Sequence, residues 1–237
     1  MKILALETSA KSASAAVVED GAILAESAVN TGLTHSQTLM PMLCGMLDAA
    51  RLNLSDMGLI AVSRGPGSFT GIRIGIGAAK GLAQGLSIPC FGVSTLEGLA
   101  FLYRGLRGLV CPVMDARCGQ VYTALFSAEN GGIARLREDE ALSIEALCEI
   151  LAACGAPVTL VGDGSCLVYQ TLKEKLPALL LAPPQLRLQR AACVGLAAEA
   201  ALSAGEKPLP PEELLPSYLR LPQAERELQK KLAGQNN

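Results

Sequence analysis

The chain has 237 residues, of which 50% are hydrophobic, 18% charged and only 3% aromatic, with no tryptophan. That length holds one large domain or two small ones, and the core has to be built from aliphatic side chains and alanine. A net charge of −2 guarantees no strongly basic face, which makes the chain alone a poor candidate for gripping a nucleic-acid backbone.

In chain order, three strands open the sequence: ILAL (3–6) ending at Glu7, SAAVV (14–18) running to the turn Asp20-Gly21, and AILAESAV (22–29). An apolar helix follows near 36–50, which Pro41 either kinks or, if Thr38 is the cap, opens as part of its first turn. The strand LIAVS (59–63) then leads into RGPGSFTGIRIGIGAAKGLAQGL (64–86). From Gly71 to Leu86 this segment reads as a helix, opened by the turn Gly65-Pro66-Gly67-Ser68.

The second half repeats the order. GLVCPVM (108–114) ends at Asp115, QVYTALF (120–126) runs to Asn130-Gly131-Gly132, and IARLRE is a third strand. IEALCEILAACG (144–155) is a helix closed by Gly155 and Pro157. VTLVGDGS (158–165) is a strand entering a glycine turn, and VYQTLKEKL (168–176) is a helix. Each half is βββ-α-β-α with a carboxylate just after its first strand. This predicts an α/β fold of two facing lobes, the duplicated ribonuclease-H-like plan of sugar kinases, actin and Hsp70. The lobes are expected at residues 1–105 and 106–237, the second with a proline-rich connector (208–216) and a short charged terminal helix after PSYLR.

Several chemistries are excluded or disfavoured. His35 is the only histidine, so histidine-pair metal sites are impossible and any Ser-His or Cys-His catalysis has one residue to draw on. The segment 64–86 lacks G-x-x-x-x-G-K-[ST], because Lys80 is followed by Gly81, and no G-x-G-x-x-G joins a strand to a helix. The eight cysteines, Cys44, Cys90, Cys111, Cys118, Cys148, Cys154, Cys166 and Cys193, form no C-x-x-C pair. Free core thiols in a reducing compartment are expected. The start MKILALETSA has too short an apolar run for a signal peptide, and the uncharged stretch 27–47 is interrupted by Asn30, His35 and Gln37. A soluble cytoplasmic protein is the expectation.

Two candidate surfaces remain. Glu7, Thr8, Ser9, Gly65, Gly67, Ser68, Asp115 and Arg117 form a candidate cleft set, with Glu7 and Asp115 as a carboxylate pair across the cleft and GPGS as an anion-attracting helix start. On the helix of 71–86, Gly71, Gly75, Ala78, Leu82 and Gly85 fall on one face at steps of 4, 3, 4 and 3. That seam of small residues lets another helix come close. Leu39, Leu43, Met46 and Ala50 of the preceding helix have the same spacing. Gly75→Leu or Ala78→Leu is then expected to disturb association while leaving the lobe folded.

ILALETS, RGPGSFTGIRIG, FGVSTLEGLA, DARCGQVY, VGDG and PSYLR, in this order, resemble the TsaB (YeaZ) family of tRNA threonylcarbamoyladenosine (t6A) biosynthesis. That family is similar to the catalytic protein TsaD, whose region matching FGVSTLEGLA carries an H-x-x-x-H metal site. Here the two histidine positions hold Thr95 and Leu99, while Glu97 and Gly98 remain. The family usually has Asp at the first turn, where this chain has Glu7. The resemblance implies a non-catalytic subunit that binds a TsaD-like partner through the two leading helices of its N-terminal lobe and forms homodimers alone. It implies a complex with a TsaE-like ATPase that transfers threonylcarbamoyl to adenosine 37 of ANN-decoding tRNAs. Tight cofactors are not expected in this chain; ATP and metal are used by the partners, and tRNA is met only through the complex. The alternatives are an ATP-dependent enzyme of the same fold, a glycoprotease-like peptidase, or a tRNA-binding module.

Overall fold

The structure is a computed structural model and describes residues 1–220. The expected charged terminal helix lies outside the described residues. Two five-stranded mixed sheets form the lobes. The first is ordered β3 (Ala22–Val29), β2 (Ala13–Glu19), β1 (Ile3–Glu7), β4 (Leu59–Gly65), β5 (Cys90–Ser94). The second is ordered β10 (Leu179–Leu181), β9 (Val158–Val161), β6 (Gly108–Arg117), β7 (Gln120–Glu129), β8 (Gly132–Ser143). β1 pairs antiparallel with β2 and parallel with β4, and β6 pairs antiparallel with β7 and parallel with β9. The two sheets have one topology, read from opposite edges, as the sequence repeat predicts.

The alternation along β1 and β2 explains the layering. Leu4, Leu6, Ala15 and Val17 face one side, under α1 (His35–Ala50) and α2 (Phe69–Leu86). Ile3, Ala5, Ala16 and Val18 face the other, under α6 (Ala191–Ser203). In the second lobe Cys111, Val113 and Val121 lie under α4 (Ile144–Ala153) and α5 (Ser165–Leu172). Val110, Met114 and Phe126 lie under α3 (Thr95–Ala100).

Helix packing crosses the boundary expected between residues 105 and 106. α3 follows the first lobe's last strand but packs on the second sheet, while α6 follows the second lobe's last strand but packs on the first. Ser14 Oγ accepts the Ala191 N–H at 2.9 Å and Glu26 accepts that of Ala192 at 3.1 Å, so the first lobe caps α6. β5, α3, β10 and α6 carry too little periodic signal to have been assigned from sequence. α1 starts after Thr34 rather than Thr38, which places Pro41 inside the helix, where its missing N–H forfeits one backbone bond.

Residues 207–220 run as a strap from the first lobe to the second. Leu209 bridges Cys90 at the free edge of β5. Leu214 is buried in the first core, and Ser217 N–H donates to the Arg64 carbonyl at 2.7 Å. Tyr218 stacks on Phe69 with centroids 4.8 Å apart, and Arg220 donates to the Ala116 carbonyl at 2.7 Å.

Candidate functional site: an inter-lobe cleft and a bare helix face

The cleft between the lobes has a volume of about 680 Å³. Ser9, Gly67, Ser68, Asp115 and Arg117 line it as expected, but Glu7, Thr8 and Gly65 do not. Glu7 is sealed inside its lobe, where its carboxylate accepts the Ser9 N–H at 2.6 Å and the hydroxyl of Ser63 on β4. Burial raises its pKa; the bonds from Ser63 and Ser9, and the nearby His35, oppose that rise. The predicted Glu7–Asp115 pair across the cleft is not formed.

Asp115 repeats the same local device. Its Oδ1 accepts the N–H of Arg117, two residues on, at 2.8 Å, as Glu7 accepts that of Ser9. Each lobe's first turn therefore spends on its own carboxylate an N–H that could otherwise meet an anion. The Gly65-Pro66-Gly67 turn closes over the first of these turns. Ser68 N–H donates to the Ser9 carbonyl at 2.7 Å, and a Cβ on Gly67 would land on that carbonyl oxygen. At each turn that one N–H is therefore not free to meet a phosphate.

The cleft's second carboxylate is Asp163, in the β9–α5 turn, a site residue whose only signal in the sequence is the glycine-flanked VGDG. A side chain on Gly162 would meet the Val113 carbonyl oxygen, so the glycines let this turn sit directly against β6. Gln189 donates to Asp163 at 3.2 Å. Burial raises the Asp163 pKa, with Asp115 adding to the rise and Gln189 and Lys11 opposing it. Ser9 Oγ, Ser12 Oγ and Gln189 Oε1, all on residues lining the cleft, are buried without a partner among the described residues.

At the positions matching a histidine pair, Thr95 and Leu99 are buried, Leu99 against the second sheet, and Glu97 pairs with Arg135 at 3.3 Å. Among the described residues, no three His, Cys, Asp or Glu side chains gather as metal ligands would.

The helix seams need the larger correction. Leu39, Leu43 and Met46 are core residues of the first lobe, and Ala50 is half-buried. Gly71 and Gly75 also face inward. A Cβ at Gly71 would strike the Thr8 carbonyl oxygen, and one at Gly75 the Thr8 hydroxyl, which itself donates to the Gly71 carbonyl at 2.8 Å. These two glycines let α2 lie against the β1–β2 turn of its own lobe. Ala78 and Leu82 are half-buried, and Gly85 alone of the predicted seam is fully exposed.

The outward ridge is Arg73-Gly77-Gly81-Gly85, at steps of four, all exposed. Among the described residues, and apart from the chain neighbours and the helix's own backbone, no atom lies within 4 Å of a Cβ built on Gly77, Gly81 or Gly85. On the same side of the sheet, α1 exposes Met40, Pro41, Cys44 and Gly45. Gly45 too has nothing within 4 Å.

The comparisons agree with this architecture. A family model described as TsaD: tRNA N6-adenosine threonylcarbamoyltransferase matches residues 29–228. The chain is thus a two-lobed protein of the threonylcarbamoyltransferase type. It is 34% identical over 229 residues to the tRNA threonylcarbamoyladenosine biosynthesis protein TsaB of Bacillus subtilis, covering 95% of this chain and 96% of that one. It is 40% identical to the Escherichia coli TsaB over 60% of this chain and 62% of that one. A solved Pseudomonas aeruginosa structure, described as an uncharacterized protein with similarity to peptidase YEAZ, superposes with a TM-score of 0.77 at 31% identity, covering 92% of this chain and 99% of that one. The chain belongs to the TsaB family of t6A biosynthesis proteins. No helix among the described residues is long and apolar enough to cross a membrane.

Proposed function

We propose that this chain is the non-catalytic, accessory subunit of a cytoplasmic t6A-forming complex. It docks a TsaD-type transferase on the outer face of α1 and α2. A TsaE-like ATPase joins the assembly, which transfers threonylcarbamoyl to adenosine 37 of ANN-decoding tRNAs. The chain meets tRNA only through that assembly, holds no cofactor tightly, and pairs with a second copy through the same face when alone.

The observation that carries this reading is the bare ridge of α2. Gly77, Gly81 and Gly85 each cost an isolated helix about 1 kcal/mol against alanine, and no packing among the described residues requires them. Close approach of another helix backbone supplies the reason. The consumed turn N–H groups of the cleft, and Thr95 and Leu99 in place of imidazoles, support a partner rather than an independent enzyme.

Gly81→Leu tests the docking face. The variant is expected to keep its unfolding transition and to lose association with the purified transferase, and with itself, by pull-down and light scattering. Unchanged association would overturn the proposal.

A further inference from the structure

The outward ridge of α2 begins with a charge, and that charge is held. The Arg73 guanidinium lies 3.8 Å from the Phe69 ring centroid and 5.9 Å from that of Tyr218. Its Nε donates to the Tyr218 hydroxyl at 2.9 Å. Tyr218 is fixed in turn, because the strap is tied on one side by Ser217 to Arg64 and on the other by Arg220 to Ala116. Among the described residues, no hydrogen bond or ion pair engages the two terminal nitrogens of Arg73. A long, mobile side chain has thus been frozen in advance, with its fork of N–H donors left over.

We propose that Arg73 is the charged anchor of the partner interface, taking a carboxylate of the transferase subunit in a two-pronged hydrogen bond, and that Tyr218 positions it. The proposal rests on the docking face inferred above and adds to it a point of fixed polarity. Preorganisation removes the ordering cost that makes most surface ion pairs weak. A carboxylate is favoured over an RNA phosphate by the surroundings. Arg73 is followed along its ridge by glycines, and the nearby Lys80 is turned to the Glu212 carbonyl at 3.1 Å rather than joined to Arg73 in a basic track. A helix-packing face with a single fork suits one acidic side chain beside a closely packed helix.

The test is titration calorimetry of the full chain against the purified transferase. Arg73→Ala is expected to weaken binding about 30-fold. Arg73→Lys should recover little of this, since an ammonium neither stacks flat nor binds with two prongs. Tyr218→Ala should approach the Arg73→Ala loss and add little to it in the double variant, whereas Tyr218→Phe, which keeps the stack, should retain most of the affinity. Replacing the partner's interfacial carboxylates one at a time should reveal one whose effect vanishes in the Arg73→Ala background. If Gly81→Leu abolishes binding while Arg73→Ala binds like the parent, the docking face stands and the anchor is refuted. If both bind like the parent, the docking face itself falls. If Arg73→Ala leaves subunit binding intact but weakens tRNA binding by the assembled complex, Arg73 contacts phosphate and the proposal is overturned.

Discussion

Glu7 is 1% exposed, and its two oxygens are engaged by Ser9 and Ser63. Burial dominates these bonds and raises its pKa above the ordinary 4.5. The sign of the linkage follows. Below the unfolded pKa the group is protonated in both states and costs nothing. As pH climbs from there through the folded pKa, the native state holds the proton more tightly than the unfolded chain, so stability falls and then levels off. Glu7→Gln keeps one acceptor for Ser9 and cannot ionise. Urea unfolding between pH 4 and 8 should therefore show the variant gaining on the parent as pH rises. A parent that gains stability on the variant over that interval would mean that the ionised carboxylate is net favourable at this site. Nothing in ETSAKSASA announces this burial. The sequence places a carboxylate after a strand, and only the position of Ser63 on the neighbouring strand decides that it turns inward rather than into the cleft.

Helix α2 separates two uses of glycine that look alike in the sequence. A period of 3.6 residues correctly identifies the helix and a face of small residues, but two arcs of that helix carry glycine for different reasons. Periodicity does not say which arc meets the β1–β2 turn. The geometry that decides is the closeness of Thr8, a contact 63 positions away in sequence. Alanine substitutions distinguish the arcs. Gly71→Ala and Gly75→Ala force a methyl into Thr8, and each should destabilise by about 1–3 kcal/mol in denaturant titrations. Gly77→Ala and Gly81→Ala meet open space in an unstrained helix and should each stabilise the chain by roughly 0.5–1 kcal/mol. They should weaken partner binding at the same time. For the same reason Gly75→Leu should disrupt the lobe itself rather than leave it folded. Gly81 is the position where association and folding can be separated.

At the scale of the whole molecule, the repeat of strand order was legible because three strands, a helix and a strand recur with turn signals between them. The exchange of helices between lobes was not. α6 is almost uniformly apolar, AACVGLAAEAALS, so its sequence says that it is buried without saying where. Its partners, Ile3, Ala5, Ala16, Val18, Leu59 and Ala61, lie 130 or more residues earlier in the chain. The expected consequence is that the first 105 residues cannot fold as an autonomous lobe. Such a fragment would expose that whole sheet face, and it would also leave Leu96 and Leu99 of α3 without the second sheet they cover. A sheet with one uncovered apolar face lacks the second layer that a stable domain needs. The fragment 1–105 should therefore show no cooperative thermal transition and should bind a hydrophobic dye. Joining residues 187–220 to it through a flexible linker should restore a cooperative transition, because α6 and Leu214 then return to their places. A sharp, reversible melt for the unassisted fragment would show that α1 and α2 alone suffice to fold the first sheet.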